Sequence, residues 1–113
     1  MHEMALTQSV VEIALEEARK AGAARVTRIG LDIGRLSAVE PEAMRFCFAC
    51  VASGTAAEGA ALDIEDVEGA GWCLDCGKTV PLSERFGACP ACGGYRVQMT
   101  AGDEMRVREL EVI

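Results

Sequence analysis

Six cysteines and a single histidine are the residues of this chain best equipped to hold a metal ion or to do thiol chemistry. Four of the cysteines lie in WCLDCGKTVPLSERFGACPACGGY, as the pair Cys73 and Cys76, a spacer covering residues 77–88, and the pair Cys89 and Cys92. Two residues between thiols let a tight turn aim both sulfurs at one point, and Gly77 and Gly93 follow each pair where positive φ and close backbone approach are wanted. Pro90 pre-sets the second turn, and the spacer is long enough to bring the chain back for tetrahedral closure. The pattern predicts a structural Zn(II) site with four thiolate ligands and no open position. Iron in a rubredoxin-like site is the alternative that the donor set leaves open, and a redox reading of one pair leaves the other pair without a task.

The only histidine, His2, stands in the opening MHEMALTQ. Chain ends tolerate change, so the position alone carries little weight. Its chemistry carries more. The α-amino group of Met1, the imidazole of His2 and the peptide nitrogen between them can close chelate rings on one ion, and nitrogen-rich tetragonal sites favour Ni(II) or Cu(II). Glu3 can complete the plane through its backbone nitrogen or its carboxylate.

Cys47 and Cys50, in MRFCFACVASG, share the two-residue spacing but lack a following glycine and a second pair. Met44, Cys47, Phe48 and Val51 recur at helical spacing after Pro41 and before Gly54, so Cys47 reads as a small buried hydrophobe on a helix.

Eighteen acidic residues against eleven basic ones give a net charge of −7. Without a compensating Lys/Arg run, the chain has little with which to neutralise phosphates, which argues against nucleic acid as a ligand. No apolar stretch approaches the ~20 residues of a membrane helix, and no basic flank precedes an apolar core at the N-terminus. Paired thiols in a reducing compartment read as metal ligands, and the expected location is cytoplasmic. No Ser-His-Asp, Cys-His or phosphate-loop pattern can be assembled, so an enzyme is not expected.

The elements that must position these residues can be read from periodicity. From Met4 to Ala21, Leu6, Val10, Ile13 and Ala14 recur at helical spacing, and Gly22 ends the run. In ARVTRIGLDIG, residues 24–34, Ile29, Leu31 and Ile33 alternate against Arg28, Gly30 and Asp32, which predicts a strand with one buried face. Further strands are expected near 61–69 and 104–113. Their apolar phase slips between Ile64 and Val67 and between Val107 and Leu110, which a bulge would absorb.

The fold class expected is α+β, with two helices packed on a three-stranded, mainly antiparallel sheet and an inserted four-cysteine zinc-ribbon module. The domains are residues 1–69 plus 100–113 for the α/β part and 70–99 for the insertion. The insertion would interrupt two strands able to pair with each other, with hinges at 70–72 and 98–103. Its few large apolar residues, chiefly Trp72, Leu82, Phe86 and Tyr95, imply that it folds only with its metal.

Taken in order, MHE, the helix after it, VTRIGLDIG, the helix carrying MRFCF, and Cys-x-x-Cys followed by Cys-Pro-x-Cys ahead of a C-terminal strand resemble the HypA/HybF family of hydrogenase maturation factors over essentially the whole chain. The resemblance implies a nickel metallochaperone. It implies that His2 binds nickel as transient cargo, with Glu3 as the neighbouring acidic residue of the motif, and that Cys73, Cys76, Cys89 and Cys92 bind structural zinc. As partners it implies the GTPase HypB and the large-subunit precursor of NiFe-hydrogenase, with urease maturation proteins for some members. Cys47 and Cys50 fall outside the motif and inherit no role. A monomer and an exchanged-helix homodimer are both compatible with the sequence.

Overall fold

The computed structural model describes residues 3–113. The elements run α1 (Glu3–Lys20), β1 (Val26–Gly34), α2 (Pro41–Ala52), β2 (Ala61–Val67), β3 (Ala70–Cys73), β4 (Lys78–Pro81), β5 (Val97–Ala101) and β6 (Met105–Val112). They form two helices and two three-stranded sheets, ordered β2-β1-β6 and β4-β3-β5. The chain divides into two compact units, one of residues 1–32, 39–65 and 106–113, the other of 33–38 and 66–105.

In the first unit α1 packs against α2. The face α1 buries carries Thr7, Val10, Val11, Ala14 and Ala18. Ile13, expected among the inward residues, is 47% exposed, and Leu6 is only half-buried. Both project more than about 90° from the centre of the Thr7–Ala18 stripe at 100° per residue, and Thr7, Val11 and Ala18 join Val10 and Ala14 on the inward face instead. Helix α2 starts where its sequence indicates: Pro41 occupies the first turn, and the Glu40 side chain caps it by accepting a bond from the Glu42 N–H at 3.3 Å. It buries Met44 and Phe48, while Cys47 is half-buried.

Strand β1 sits at the centre of its sheet, flanked by β2 and β6. The two strands able to pair with each other lie instead on opposite edges, with β1, the most buried strand, between them. Ile29, Leu31 and Ile33 are buried as the alternation requires, but so are Gly30 and Asp32. The second face of β1 is covered as well. A Cβ on Gly30 would come to 2.8 Å from the Arg108 guanidinium, which lies across it. Asp32 accepts bonds from Arg108 Nη1 at 2.6 Å and Arg106 Nε at 2.9 Å, which is how a carboxylate is kept at 5% exposure. Exposure along β2 and β6 changes phase where the sequence slips, with Leu62, Ile64 and Val67, and then Met105, Val107, Leu110 and Val112, the more protected positions.

In the second unit β3 is central and pairs antiparallel with both β4 and β5. The segments 70–72 and 98–103, expected as hinges, are largely strand. Gly71 faces Met99 across the ladder, and a Cβ there would meet Val97 Cγ1 at 2.6 Å and Leu82 Cδ1 at 2.9 Å. A Cβ on Gly102 would lie 2.6 Å from Gly69 Cα. Both glycines stand where a side chain would collide, and Gly102 also takes a positive φ of 108°.

The hydrogen bond from Arg108, and next that from Arg106, hold the Asp32 carboxyl below the usual carboxylate range. A carboxyl depressed in the folded state contributes stability that is complete above its unfolded value of about 4 and is lost as pH falls through the lower folded value. Asp32→Asn should therefore lower the urea midpoint at pH 7, with the gap to the parent closing below about pH 4. Equal midpoints at pH 7 would contradict the bonding described.

Candidate metal centre

Each half of the centre is built by the same local device. Gly77 N–H bonds the Cys73 carbonyl and Gly93 N–H bonds the Cys89 carbonyl, both at 2.8 Å, closing a turn around each Cys-x-x-Cys. Gly77 (φ 65°) and Gly93 (φ 76°) hold the left-handed conformation that ends each turn. The first pair sits at the end of β3 and the turn to β4, and the second follows Gly87 in the irregular segment before β5. The Cys89 N–H to Gly94 carbonyl bond (2.7 Å) ties the second turn across itself, and Leu74 N–H to the Arg96 carbonyl (2.9 Å) continues the β3–β5 pairing into the first.

The four sulfurs all lie within 4.8 Å of one another. Cys73 Sγ is 3.8 Å from Cys92 Sγ, and Cys76 Sγ is 3.9 Å from Cys89 Sγ. A tetrahedral ion with sulfur ligands at ~2.3 Å has sulfur-to-sulfur edges of about 3.8 Å, so both of these separations match the edges of one such site. Main-chain donors already point at the sulfurs: Cys76 N–H to Cys73 (3.4 Å), Ala91 N–H to Cys89 (3.3 Å) and Gly94 N–H to Cys92 (3.4 Å). Such bonds stabilise thiolates. The Cys89 thiol is brought down to about 7, first by the backbone N–H of Cys92 and then, against burial, by that of Ala91. The neighbouring sulfurs of Cys92 and Cys73, with burial, push the Cys76 thiol up to about 12. Several thiols this close cannot all ionise unless a cation offsets their charge.

The sulfurs also serve as the core of their unit. Cys73, Val80 and Cys89 form its buried cluster, with Cys76 and Val97 packed against it. Of the large apolar residues noted in the insertion, Leu82 is buried, whereas Trp72, Phe86 and Tyr95 are 41%, 92% and 76% exposed. The N–H donors and the paired valines carried no sequence signal, because their role depends on where the turns place the backbone.

The other candidate residues are elsewhere. Among the described residues, Cys47 and Cys50 join no group of three or more metal-binding side chains. Glu3 opens α1, and its Oε2 accepts a bond from the Glu40 N–H at 3.3 Å, placing residue 3 beside the start of α2. Met1 and His2 lie outside the described residues. No described helix is long and apolar enough to cross a membrane.

A family model described as hydrogenase/urease nickel incorporation, metallochaperone, hypA matches residues 1–112. The hydrogenase maturation factor HypA of Rhizobium leguminosarum bv. viciae is 59% identical over 113 residues, covering 100% of both chains. That of Dechloromonas aromatica (strain RCB) is 54% identical over 112 residues, 99% of each. Among solved structures, the solution structure of the Ni metallochaperone HypA from Helicobacter pylori aligns with a TM-score of 0.72 at 29% identity, covering 100% of this chain and 98% of that one. A second HypA solution structure aligns with a TM-score of 0.75 at 30% identity, covering 100% and 97%.

The sulfur geometry predicts that protein purified without oxygen carries one tetrahedral metal ion per chain, measured by elemental analysis. Cys89→Ala should lose it, and Cys50→Ser should keep it. Full metal content in Cys89→Ala would contradict a four-sulfur centre.

Proposed function

The chain belongs to the HypA family of nickel-incorporation metallochaperones, and on that premise we propose that it binds Ni(II) at its N-terminal end and delivers it during NiFe-hydrogenase maturation. In this reading Cys73, Cys76, Cys89 and Cys92 hold a structural Zn(II). Residues 1–69 with 100–113 serve the cargo, and residues 70–99 serve the zinc. The protein works in the cytoplasm without catalysing a reaction of its own. It hands nickel on with a HypB-type GTPase to the hydrogenase large-subunit precursor, and urease maturation proteins are a further class of recipient.

The observation that carries this reading is the convergence of the four sulfurs within 4.8 Å. A centre with that many thiolates on one ion is closed, and a closed cage suits a resident ion better than one that must leave. Cargo then calls for donors elsewhere, and the sequence offers one imidazole, at His2. With the Met1 α-amino group and intervening peptide nitrogen it makes a nitrogen-rich set suited to Ni(II), and residue 3 supplies the fourth donor. Glu3 has its carboxylate within reach of the Glu40 N–H, which favours its backbone nitrogen for the metal. A short chelate at a chain end binds strongly enough to capture nickel and can release it to a recipient that offers a more complete donor set.

Calorimetric titration of nickel into untagged, zinc-loaded protein tests the proposal, comparing the parent, His2→Ala and a version with an N-terminal extension. About one nickel should bind the parent, and both variants should lose that site while keeping zinc. Imidazole must be neutral to bind metal, so parent affinity should fall as pH drops through about 6.5. If all three proteins bind alike, or affinity is unchanged between about pH 7.5 and 5.5, the protein is better described as a zinc-ribbon interaction module that does not handle nickel.

A further inference from the structure

The thiols of Cys47 and Cys50 belong to neither proposed metal site, and they share one regular helix, α2 (Pro41–Ala52). Cys47 is half-buried and Cys50 exposed. Residues three apart on a helix are neighbours on its surface, so the two sulfurs can turn toward a common point above one turn of α2.

Helix geometry decides what that point suits. Neighbours at this spacing have Cβ atoms about 5–6 Å apart, whereas a disulfide needs about 3.5–4.5 Å. A direct sulfur-sulfur bond would have to distort the middle of the helix. An ion between the sulfurs lengthens the bridge and does not. No third His, Cys, Asp or Glu joins the pair: among the described residues, the four cysteines of the second unit form the only group of three or more such side chains. Zinc, which requires four ligands, is poorly served by two thiolates, and so is nickel in a nitrogen-rich preference. Soft thiolates with low coordination number select a monovalent d10 ion.

We propose that Cys47 and Cys50 form a two-thiolate site on the exposed side of α2 for a soft monovalent ion of the Cu(I) class. The site is independent of the nickel reading, because it uses no residue of MHE and none of the four clustered cysteines. Binding replaces the two thiol protons, which pass to solvent, and involves no change of oxidation state. Its consequence for a nickel carrier is discrimination by ligand type: a thiophilic ion is held by sulfur on α2 and a borderline ion by nitrogen donors.

The test is Cu(I), supplied without oxygen as its acetonitrile complex, titrated into zinc-loaded protein against the chromophoric chelator bathocuproine disulfonate. Released zinc is followed in parallel. The parent should take one equivalent from the chelator while retaining its zinc. Cys50→Ser, at an exposed position that the fold does not need, should bind at least about tenfold more weakly, as should Cys47→Ser, with circular dichroism confirming that the helices persist. Nickel binding by Cys50→Ser should equal that of the parent. Unchanged Cu(I) affinity in Cys50→Ser overturns the proposal, as does zinc release by the first equivalent. Mass-spectrometric recovery of a Cys47–Cys50 disulfide after exposure to glutathione disulfide, with helicity unchanged, overturns the spacing argument.

Discussion

Four sulfur atoms drawn to within 4.8 Å of each other are the constraint around which residues 66–105 are arranged. Like-charged thiolates repel, and the other buried apolar side chains of the unit, chiefly Ile33, Leu36, Val80 and Leu82, are few. Its buried cluster is Cys73, Val80 and Cys89, with three of its four largest apolar side chains turned to solvent. A core of that size offsets little of the entropy of ordering some forty residues. A tetrahedral ion held by the four sulfurs would supply the missing attraction, and the turns and the sheet place the sulfurs where it could sit. Two turns ended by Gly77 and Gly93 present the pairs, and the β4-β3-β5 sheet anchors the first pair and the approach to β5.

The unit of residues 1–32, 39–65 and 106–113 rests on a different balance. Its stability comes from Ile29, Leu31, Met44, Phe48 and Val10 buried as in any small α+β core, and from a strand covered on both faces. Asp32 shows how the second cover is achieved. Its two arginine partners on β6 lie over a strand whose Gly30 leaves room for the Arg108 side chain. In the proposed function, such a division would suit a carrier, with a resident ion held by the four thiolates of one unit and cargo held by other donors.

Residue spacing made a good part of this legible. The four-cysteine pattern needed no three-dimensional information, because two residues between thiols and a glycine after them dictate a local turn. The alternation of Ile29, Leu31 and Ile33 and the phase slips in β2 and β6 were equally local. What sequence could not show depended on partners distant along the chain. Asp32 and Gly30 read as a solvent face until Arg108, 76 and 78 positions later, lay across them. The close packing around Gly71 and Gly102 was not legible either, because glycine marks both freedom and close approach and the neighbours that crowd these positions are distant along the chain. Strands β3 and β5 are too short to show a period. Ile13 yielded to Val11 and Ala18, since the inward arc of α1 is set by what packs against it.

X-ray absorption at both metal edges of protein loaded with one zinc and one nickel measures most directly whether the two ions occupy chemically distinct sites. The zinc edge should report four sulfur neighbours at about 2.3 Å, and the nickel edge only nitrogen and oxygen neighbours with the outer-shell pattern of one imidazole. Sulfur in the first shell of nickel, or fewer than four sulfurs around zinc once nickel is present, would contradict the separation of a resident thiolate-bound ion from a nitrogen-bound cargo.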